Sequence, residues 1–131
     1  MLSAGEKGRI GEFIAAASIE SLGWKTSFAQ MEAIDLLAFK NNCFLRVQVK
    51  AARTNSDRGR YGFMVHNHAR SQLDQSKVDI FAFVALDVRK TIFVSARNLI
   101  TYKKYFKKDD YIPANLESDS WIASINSLSS T

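Results

Sequence analysis

The sequence predicts an α/β domain built around one mixed β-sheet with helices packed against it. A helical pattern opens the chain, and short β-rich runs alternate with further helical stretches after it. The chain has 131 residues, of which 47% are hydrophobic, which is enough for one core and matches the usual domain size of roughly 100–150 residues. We therefore expect a single domain over residues 1–131.

The first predicted element is a helix from Ser3 to Leu22. Ser3 can cap it, Glu6 follows three residues later as in a capping box, and Gly23 suits the C-terminal stop. A carboxylate, Glu12, interrupts an apolar stripe and needs a functional reason. Apolar residues on two sides of the helix predict burial on both sides. One side carries Ile10, Phe13, Ile14 and Ala17, and the other carries Ala15, Ala16, Ile19 and Leu22.

The middle of the chain predicts a β-hairpin. Strands are expected at 34–39 and 44–51, and the polar turn Lys40-Asn41-Asn42 between them should pair them antiparallel. The 78–86 run is almost entirely apolar, which suits a strand buried on both faces. The other expected elements are strands at 24–29, 61–65 and 91–95, a loop at 54–60, helices at 67–76 and 98–106, and an amphipathic turn at 121–125.

Positive charge is concentrated in one part of the chain. The formal net charge is +5, and residues 40–70 hold seven Lys or Arg against one Asp, whereas the tail from Asp109 onward has four acidic residues and no Lys or Arg. This distribution favours a polyanionic partner, although a basic stretch is as often a solvated face.

The cysteine count and the hydropathy pattern bear on the cellular compartment. Cys43 is the only cysteine, so an intrachain disulfide framework and a cysteine zinc cluster are excluded. No run of eighteen apolar residues and no secretory signal pattern occurs. We expect a cytoplasmic protein without a membrane partner, in the host cell's cytoplasm if a phage or an intron encodes it.

Three polar side chains are expected to converge at the hairpin. Alternate residues of a strand share a face, so Gln48 and Lys50 point the same way, with Arg46 beside them. Asp35 opens the neighbouring strand, and pairing through the turn places it beside residues 48–50. A carboxylate, an amide oxygen and an ammonium at one point suit a divalent metal and a phosphate.

The residues that carry this chemistry resemble a known superfamily. Gly11-Glu12, Gly23-Trp24, Ile34-Asp35-Leu36 and Val47-Gln48-Val49-Lys50 together resemble the PD-(D/E)XK nucleases. The resemblance implies a restriction-endonuclease-like core and spans residues 7–95, leaving a C-terminal extension over 98–131. Group I intron-associated homing endonucleases are most similar, and archaeal Holliday junction resolvases are more remote. Lys7-Gly8 supports the first of these, and residues 78–82 resemble a later core strand.

The resemblance implies roles for five residues. Asp35 would be the principal metal ligand, joined by the amide oxygen of Gln48 and the backbone carbonyl of Val49. Lys50 would orient or activate the attacking water, and Glu12 would reach the metal through water. The implied metal is Mg²⁺, for which Mn²⁺ can substitute. Two departures from the pattern are Gln48, where many relatives have Glu, and Ala33-Ile34, which replaces the eponymous Pro.

Basic residues near the active strand are candidates for DNA contact. The loop after that strand leaves the catalytic face, and an Arg is the side chain best suited to a guanine edge. His66 and His68 flank Asn67, and contacts to phosphate and bases, a metal pair and plain surface histidines all remain open. Lysines at 103, 104, 107 and 108 alternate with aromatics and face either phosphate or solvent. The full DNA-binding set is Arg46, Arg53, Arg58, Arg60, His66, His68 and Arg70.

These observations predict a Mg²⁺-dependent, site-specific endonuclease of the homing type that hydrolyses phosphodiester bonds in double-stranded DNA. One chain holds one site, so cutting both strands calls for a homodimer or homotetramer. The alternatives are a junction-resolving, structure-specific nuclease, a DNA-binding module without catalysis, and a protein-interaction domain that uses the acidic tail.

Overall fold

The computed structural model describes residues 1–54, 59–65, 77–99 and 103–129. Helix α1 (Ala4–Ser21) opens the chain and helix α2 (Leu116–Ser129) closes the described part. Short 3-10 turns occupy Ala96–Asn98 and Lys108–Tyr111. The helix predicted at 67–76 lies outside the described residues. The strands are β1 (Lys25–Met31), β2 (Ile34–Lys40), β3 (Cys43–Ala52), β4 (Arg60–Met64), β5 (Ile80–Ala85), β6 (Lys90–Ser95) and β7 (Lys103–Lys107).

Five strands form the central sheet in the order β1-β2-β3-β5-β6. β3 runs parallel to β5, and the other neighbours are antiparallel. The predicted mixed sheet flanked by helices is therefore confirmed. The predicted hairpin is present too: Lys40 pairs with Cys43, and Asn41 makes the turn with a φ of 55°, a conformation that Asn tolerates well.

The capping box predicted for α1 is confirmed. Ser3 Oγ accepts a hydrogen bond from the Glu6 amide at 3.1 Å, and the Ser3 amide donates to Glu6 Oε1 at 2.8 Å. Gly23 follows the helix with a φ of 93°, which glycine adopts without strain. The prediction that α1 is buried on both sides is wrong, because Ala15 and Ile19 are fully buried against the sheet while Phe13 on the other side is 51% exposed.

A hydrophobic core lies on each face of the sheet. The first core joins α1 and α2 to residues such as Val47 and Ala82. The second contains Phe81 and Phe83 of β5 and is covered by β4 and the residues around β7. All six residues of β5 are buried, as the apolar run predicts.

β4 and β7 pair antiparallel as a separate two-stranded sheet. The helix predicted over 98–106 is wrong, because Ala96–Asn98 is a 3-10 turn and Lys103–Lys107 is a strand. This segment fits a helix, but it also fits a strand. In a strand, Lys104 and Phe106 share the inner face, while Lys103, Tyr105 and Lys107 share the outer face. Pairing with β4 decides between them, since it buries Phe63 and partly buries Phe106 against Phe83.

The C-terminal helix is longer than the turn predicted at 121–125. The many serines of Leu116–Ser129 made a helix difficult to predict from the sequence. The packing of Trp121 holds this helix against the sheet. The Trp121 ring is 2% exposed and lies 5.3 Å from the Trp24 ring and 4.8 Å from the Phe93 ring, centroid to centroid. Neither described helix is long and apolar enough to cross a membrane.

Candidate active site

The start of β2 brings Asp35 against β3. Leu36 pairs with Val47 at the end of the ladder, so Asp35 lies one residue beyond it, beside Gln48. Asp35 Oδ2 accepts a hydrogen bond of 2.7 Å from the amide of Val49. The structure thus places the carboxylate where the sequence predicts it, within the reach of the Gln48–Lys50 segment.

The amide oxygen of Gln48 has no hydrogen-bond partner in the part of the chain that the structure describes. This atom, Oε1, is also buried. Leaving a buried hydrogen-bond acceptor without a partner costs about 1–3 kcal/mol. This oxygen is therefore available to bind a metal cation. In the parallel ladder Gln48 lies beside Phe81 and Lys50 beside Phe83, so both side chains face the second core.

A close contact between α1 and β3 brings Glu12 near enough to Asp35 for their charges to interact. A Cβ atom on Gly11 would lie 2.6 Å from the Cβ of Ala51, far inside van der Waals contact. Only glycine lets the helix pass this close to the strand. The next residue, Glu12, has a side chain 25% exposed and 3.8 Å from the Arg9 guanidinium. This placement explains a carboxylate within an apolar stripe.

The two carboxylates interact electrostatically. Burial raises the pKa of Asp35, while the Val49 amide and the Lys50 ammonium act in the opposite direction. Burial also raises the pKa of Glu12, the charge of Asp35 raises it further, and Arg9 opposes both effects. Because both carboxylates are partly desolvated, their negative charges are unfavourable, and their pKa values are raised. A nearby cation would stabilise these charges.

Arg46 is engaged in an ion pair that the sequence did not indicate. Its Nε donates to Asp79 Oδ2 and its Nη2 to Asp79 Oδ1, each at 3.1 Å. The Arg46 amide also donates to Asp79 Oδ2 at 2.8 Å. The side-chain hydrogen bonds to Asp79 and the charge of this carboxylate raise the pKa of the guanidinium. The pair fastens β3 to the residue that precedes β5. A DNA contact by Arg46 stays a prediction.

Comparison with known proteins places the fold. No family model matches the chain and no curated protein matches it. Among solved structures, a bacterial homing endonuclease, I-Ssp6803I, is similar with a TM-score of 0.74 and 17% sequence identity, over 97% of this chain and 94% of that chain. The fold is similar to that of a homing endonuclease. At this identity the likeness concerns the fold, and the functional argument depends on the side chains.

Within this homing-endonuclease-like fold, the residues present fit a hard divalent cation. Mg²⁺ prefers oxygen ligands, needs one or two carboxylates and keeps several waters. Asp35 and Glu12 supply carboxylates, and Gln48 supplies the unpartnered amide oxygen. Among the residues with described structure no cluster of three His, Cys, Asp or Glu occurs. The oxygen-only donor set suits Mg²⁺ better than zinc, which favours nitrogen and sulfur ligands.

The other predicted DNA-binding residues lie at different places. Arg53 lines a groove of about 110 Å³ that Lys7 and Arg89 also line. Arg60 lies in β4, with its Cζ atom 4.5 Å from the centre of the Tyr105 ring. Arg53 and Arg60 therefore line two different grooves. Four predicted contacts lie outside the described residues, namely Arg58, His66, His68 and Arg70.

The raised pKa of Asp35 predicts how stability depends on pH. A carboxyl whose pKa is higher in the folded than in the unfolded state binds protons more readily when folded, so lowering the pH through the raised value stabilises the fold. In metal-free protein, wild type should gain stability relative to Asp35→Asn between about pH 7 and about pH 4. Urea unfolding of both proteins measures this. A relative loss over the same interval would contradict the electrostatics described here.

Proposed function

We propose that this chain is a Mg²⁺-dependent endonuclease of the homing type that hydrolyses phosphodiester bonds at specific sites in double-stranded DNA. The proposal is supported most by Asp35, which is bonded to the Val49 amide and interacts electrostatically with both Glu12 and Lys50, next to a Gln48 amide oxygen that has no partner among the described residues. The similarity of the fold to that of a homing endonuclease supports it, and so does the resemblance of these residues to the PD-(D/E)XK pattern.

Each side chain has a role in this proposal. Asp35, the Gln48 amide oxygen and the Val49 carbonyl would hold the metal, and Glu12 would reach it through water. The bound metal would supply Lewis acidity and lower the pKa of a water. The Lys50 ammonium orients the attacking water and stabilises negative charge that develops on the phosphoryl oxygens. The hydrogen bond from the Val49 amide fixes one oxygen of Asp35, which leaves its other oxygen for the metal.

Replacing Gln48 tests the metal site directly. Gln48→Glu adds a negative charge of nearly the same shape, so half-maximal cleavage should need roughly tenfold less Mg²⁺, since affinity follows ligand charge. Gln48→Leu removes the oxygen and should raise the requirement. Cleavage rates over a Mg²⁺ titration measure both effects. Equal Mg²⁺ requirements in all three proteins would mean that Gln48 is not a ligand.

Substrate class is tested by offering several DNA forms with Mg²⁺. A site-specific endonuclease cuts plasmid and phage-library duplexes into discrete fragments. Preferential cutting of four-way junctions over linear duplex would instead identify a junction-resolving nuclease. Duplex binding without any Asp35-dependent cutting would identify a DNA-binding module that lacks catalysis.

The unburied side of α1 supports assembly into a homodimer or homotetramer. Ile10, Phe13, Ile14 and Ala17 line an open apolar groove of about 610 Å³, and Arg89 lies at its margin with Glu117. Charges of both signs beside one apolar groove are compatible with a self-complementary interface. A second copy is the occupant that the function requires, because one site per chain cuts one strand.

Phe13→Glu should dissociate this assembly. The Phe13 ring contacts the Phe28 ring at 5.1 Å between centroids and is half exposed, so the change places a charge in the interface while the core stays intact. Size-exclusion chromatography with light scattering measures the mass, and plasmid assays should change from linearisation to nicking. Phe44→Glu, at an exposed position on the hairpin, is the control. An unchanged mass for Phe13→Glu would place the interface elsewhere.

A further inference from the structure

The two-stranded sheet has one buried and one open face. Along β4 and β7 alternate residues face opposite sides, and Tyr61, Phe63 and Phe106 belong to the second core. The open face consists of three cross-strand pairs. They are Arg60 with Lys107, Gly62 with Tyr105, and Met64 with Lys103.

The chemistry of this open face suits a polyanion with apolar edges. It carries three cations and no acidic residue, and Tyr105 is 47% exposed on it. Asp109 and Asp110 come after β7, and Asp110 is occupied in accepting a hydrogen bond of 2.8 Å from the Lys107 amide. We propose that this ribbon, β4 with β7, enters the major groove of the DNA substrate and that Arg60 reads a guanine edge there.

Arg60 is held in a fixed position for this task. A Cβ atom on Gly62 would lie 3.1 Å from the Tyr105 ring, so the ring lies across the glycine backbone and uses the space that its missing side chain leaves. The Arg60 guanidinium stacks on the same ring at 4.5 Å. Stacking leaves the N–H groups at the guanidinium edge free to donate to guanine O6 and N7 as a pair.

The dimensions of the ribbon fit the groove. The major groove is about 12 Å wide and admits a two-stranded ribbon, whose strands lie about 4.8 Å apart. Outward residues 103, 105 and 107 span about 14 Å along β7, which corresponds to about four base pairs. Lys103 and Lys107, at the ends of that span, are placed to contact phosphates that flank the bases.

The ribbon also has a fixed relation to the candidate active site. The Phe63 ring lies 5.0 Å and the Phe106 ring 5.4 Å from the Phe83 ring, centroid to centroid. Phe83 is the neighbour of Lys50 in the parallel ladder. The ribbon therefore packs on the face of the central sheet that carries Gln48 and Lys50, which fixes its position relative to these two residues. This inference rests on the proposed function.

The experiment compares Arg60→Lys and Arg60→Gln with wild type on a duplex that wild type selects from a random library. Arg60→Gln should weaken binding at least about tenfold. Arg60→Lys keeps the charge but loses the planar fork, so it should keep the salt dependence and relax the preference at one base pair. Lys25→Gln, an exposed cation on β1, an edge strand of the central sheet, is the matched control and should bind as wild type. Thermal melting checks that each variant is folded.

Methylation interference identifies the groove. Methyl groups on guanine N7 block the major groove, and those on adenine N3 block the minor groove. We expect guanine N7 interference that Arg60→Gln loses at one position and that Asp35→Ala retains. Two results would overturn the assignment of the ribbon but leave the proposed function standing. One is interference only at adenine N3. The other is an unchanged base preference in both Arg60 variants while Asp35-dependent cutting persists. Absence of any duplex binding would overturn the proposed function as well.

Discussion

Asp35→Ala should abolish DNA cleavage while the protein continues to bind duplex DNA. The change removes the partly buried carboxylate that lies beside Gln48 at the end of the ladder and accepts the Val49 amide hydrogen bond. Loss of the proposed principal metal ligand should lower the cleavage rate at least about a thousandfold, because the proposed metal would supply both the nucleophile and the charge stabilisation. Single-turnover cleavage of a defined target, together with a gel-shift assay of binding, measures the two effects separately.

Lys50→Ala should lower the cleavage rate by about 10²–10³-fold, as expected for one group that stabilises transition-state charge. The Mg²⁺ concentration that Lys50→Ala needs for half-maximal cleavage should be close to the wild-type value, whereas that of Asp35→Ala should differ more from it. Glu32→Ala and Lys25→Ala remove exposed charges of the same kinds and serve as matched controls. Cleavage by Asp35→Ala or Lys50→Ala at the wild-type rate would exclude the proposed site.

Gly11→Ala should impair both stability and cleavage. The new Cβ atom would lie 2.6 Å from the Ala51 Cβ, so α1 must move away from β3, at about 1–3 kcal/mol of unfolding free energy. The movement displaces Glu12 from Asp35, so cleavage should fall even at saturating Mg²⁺. Urea unfolding and single-turnover cleavage measure the two effects.

Gly8→Ala is the control for this substitution. No atom lies within 4 Å of a Cβ atom at Gly8, so alanine there should stabilise the helix by up to about 1 kcal/mol. The double variant Gly11→Ala with Ala51→Gly relieves the clash and should recover part of the lost activity. If Gly11→Ala behaves like Gly8→Ala, the close approach of helix and strand is not what positions Glu12.

The candidate site was predictable because local sequence fixes most of it. A two-residue turn sets the register of the hairpin, and that register alone places Asp35 beside Gln48. Strand alternation then gives Gln48 and Lys50 a common face. The position of Glu12 on an apolar stripe indicated a functional role, but its distance to β3 depends on the missing side chain of Gly11. Only the packed structure shows that contact.

Long-range pairing explains what the sequence left undetermined. Residues 103–107 fit a helix and a strand equally well, and β4, some forty residues earlier, decides in favour of the strand. The ion pair joins Arg46 of β3 to Asp79, the residue before β5, across 33 positions of the chain, so local sequence did not indicate it. In the tail, Trp121 becomes a helix anchor through its contacts with Trp24 and Phe93.

The central claim is that Asp35 and its neighbours form a metal-dependent site for DNA hydrolysis. The most direct measurement incubates wild type and Asp35→Ala with a plasmid and phage DNA library in Mg²⁺ and sequences the ends that form. We expect discrete ends at recurring sites for wild type and none for Asp35→Ala. Two results would contradict a metal-dependent site at Asp35. Wild type could bind the DNA but leave it uncut in both Mg²⁺ and Mn²⁺, or both proteins could produce identical ends.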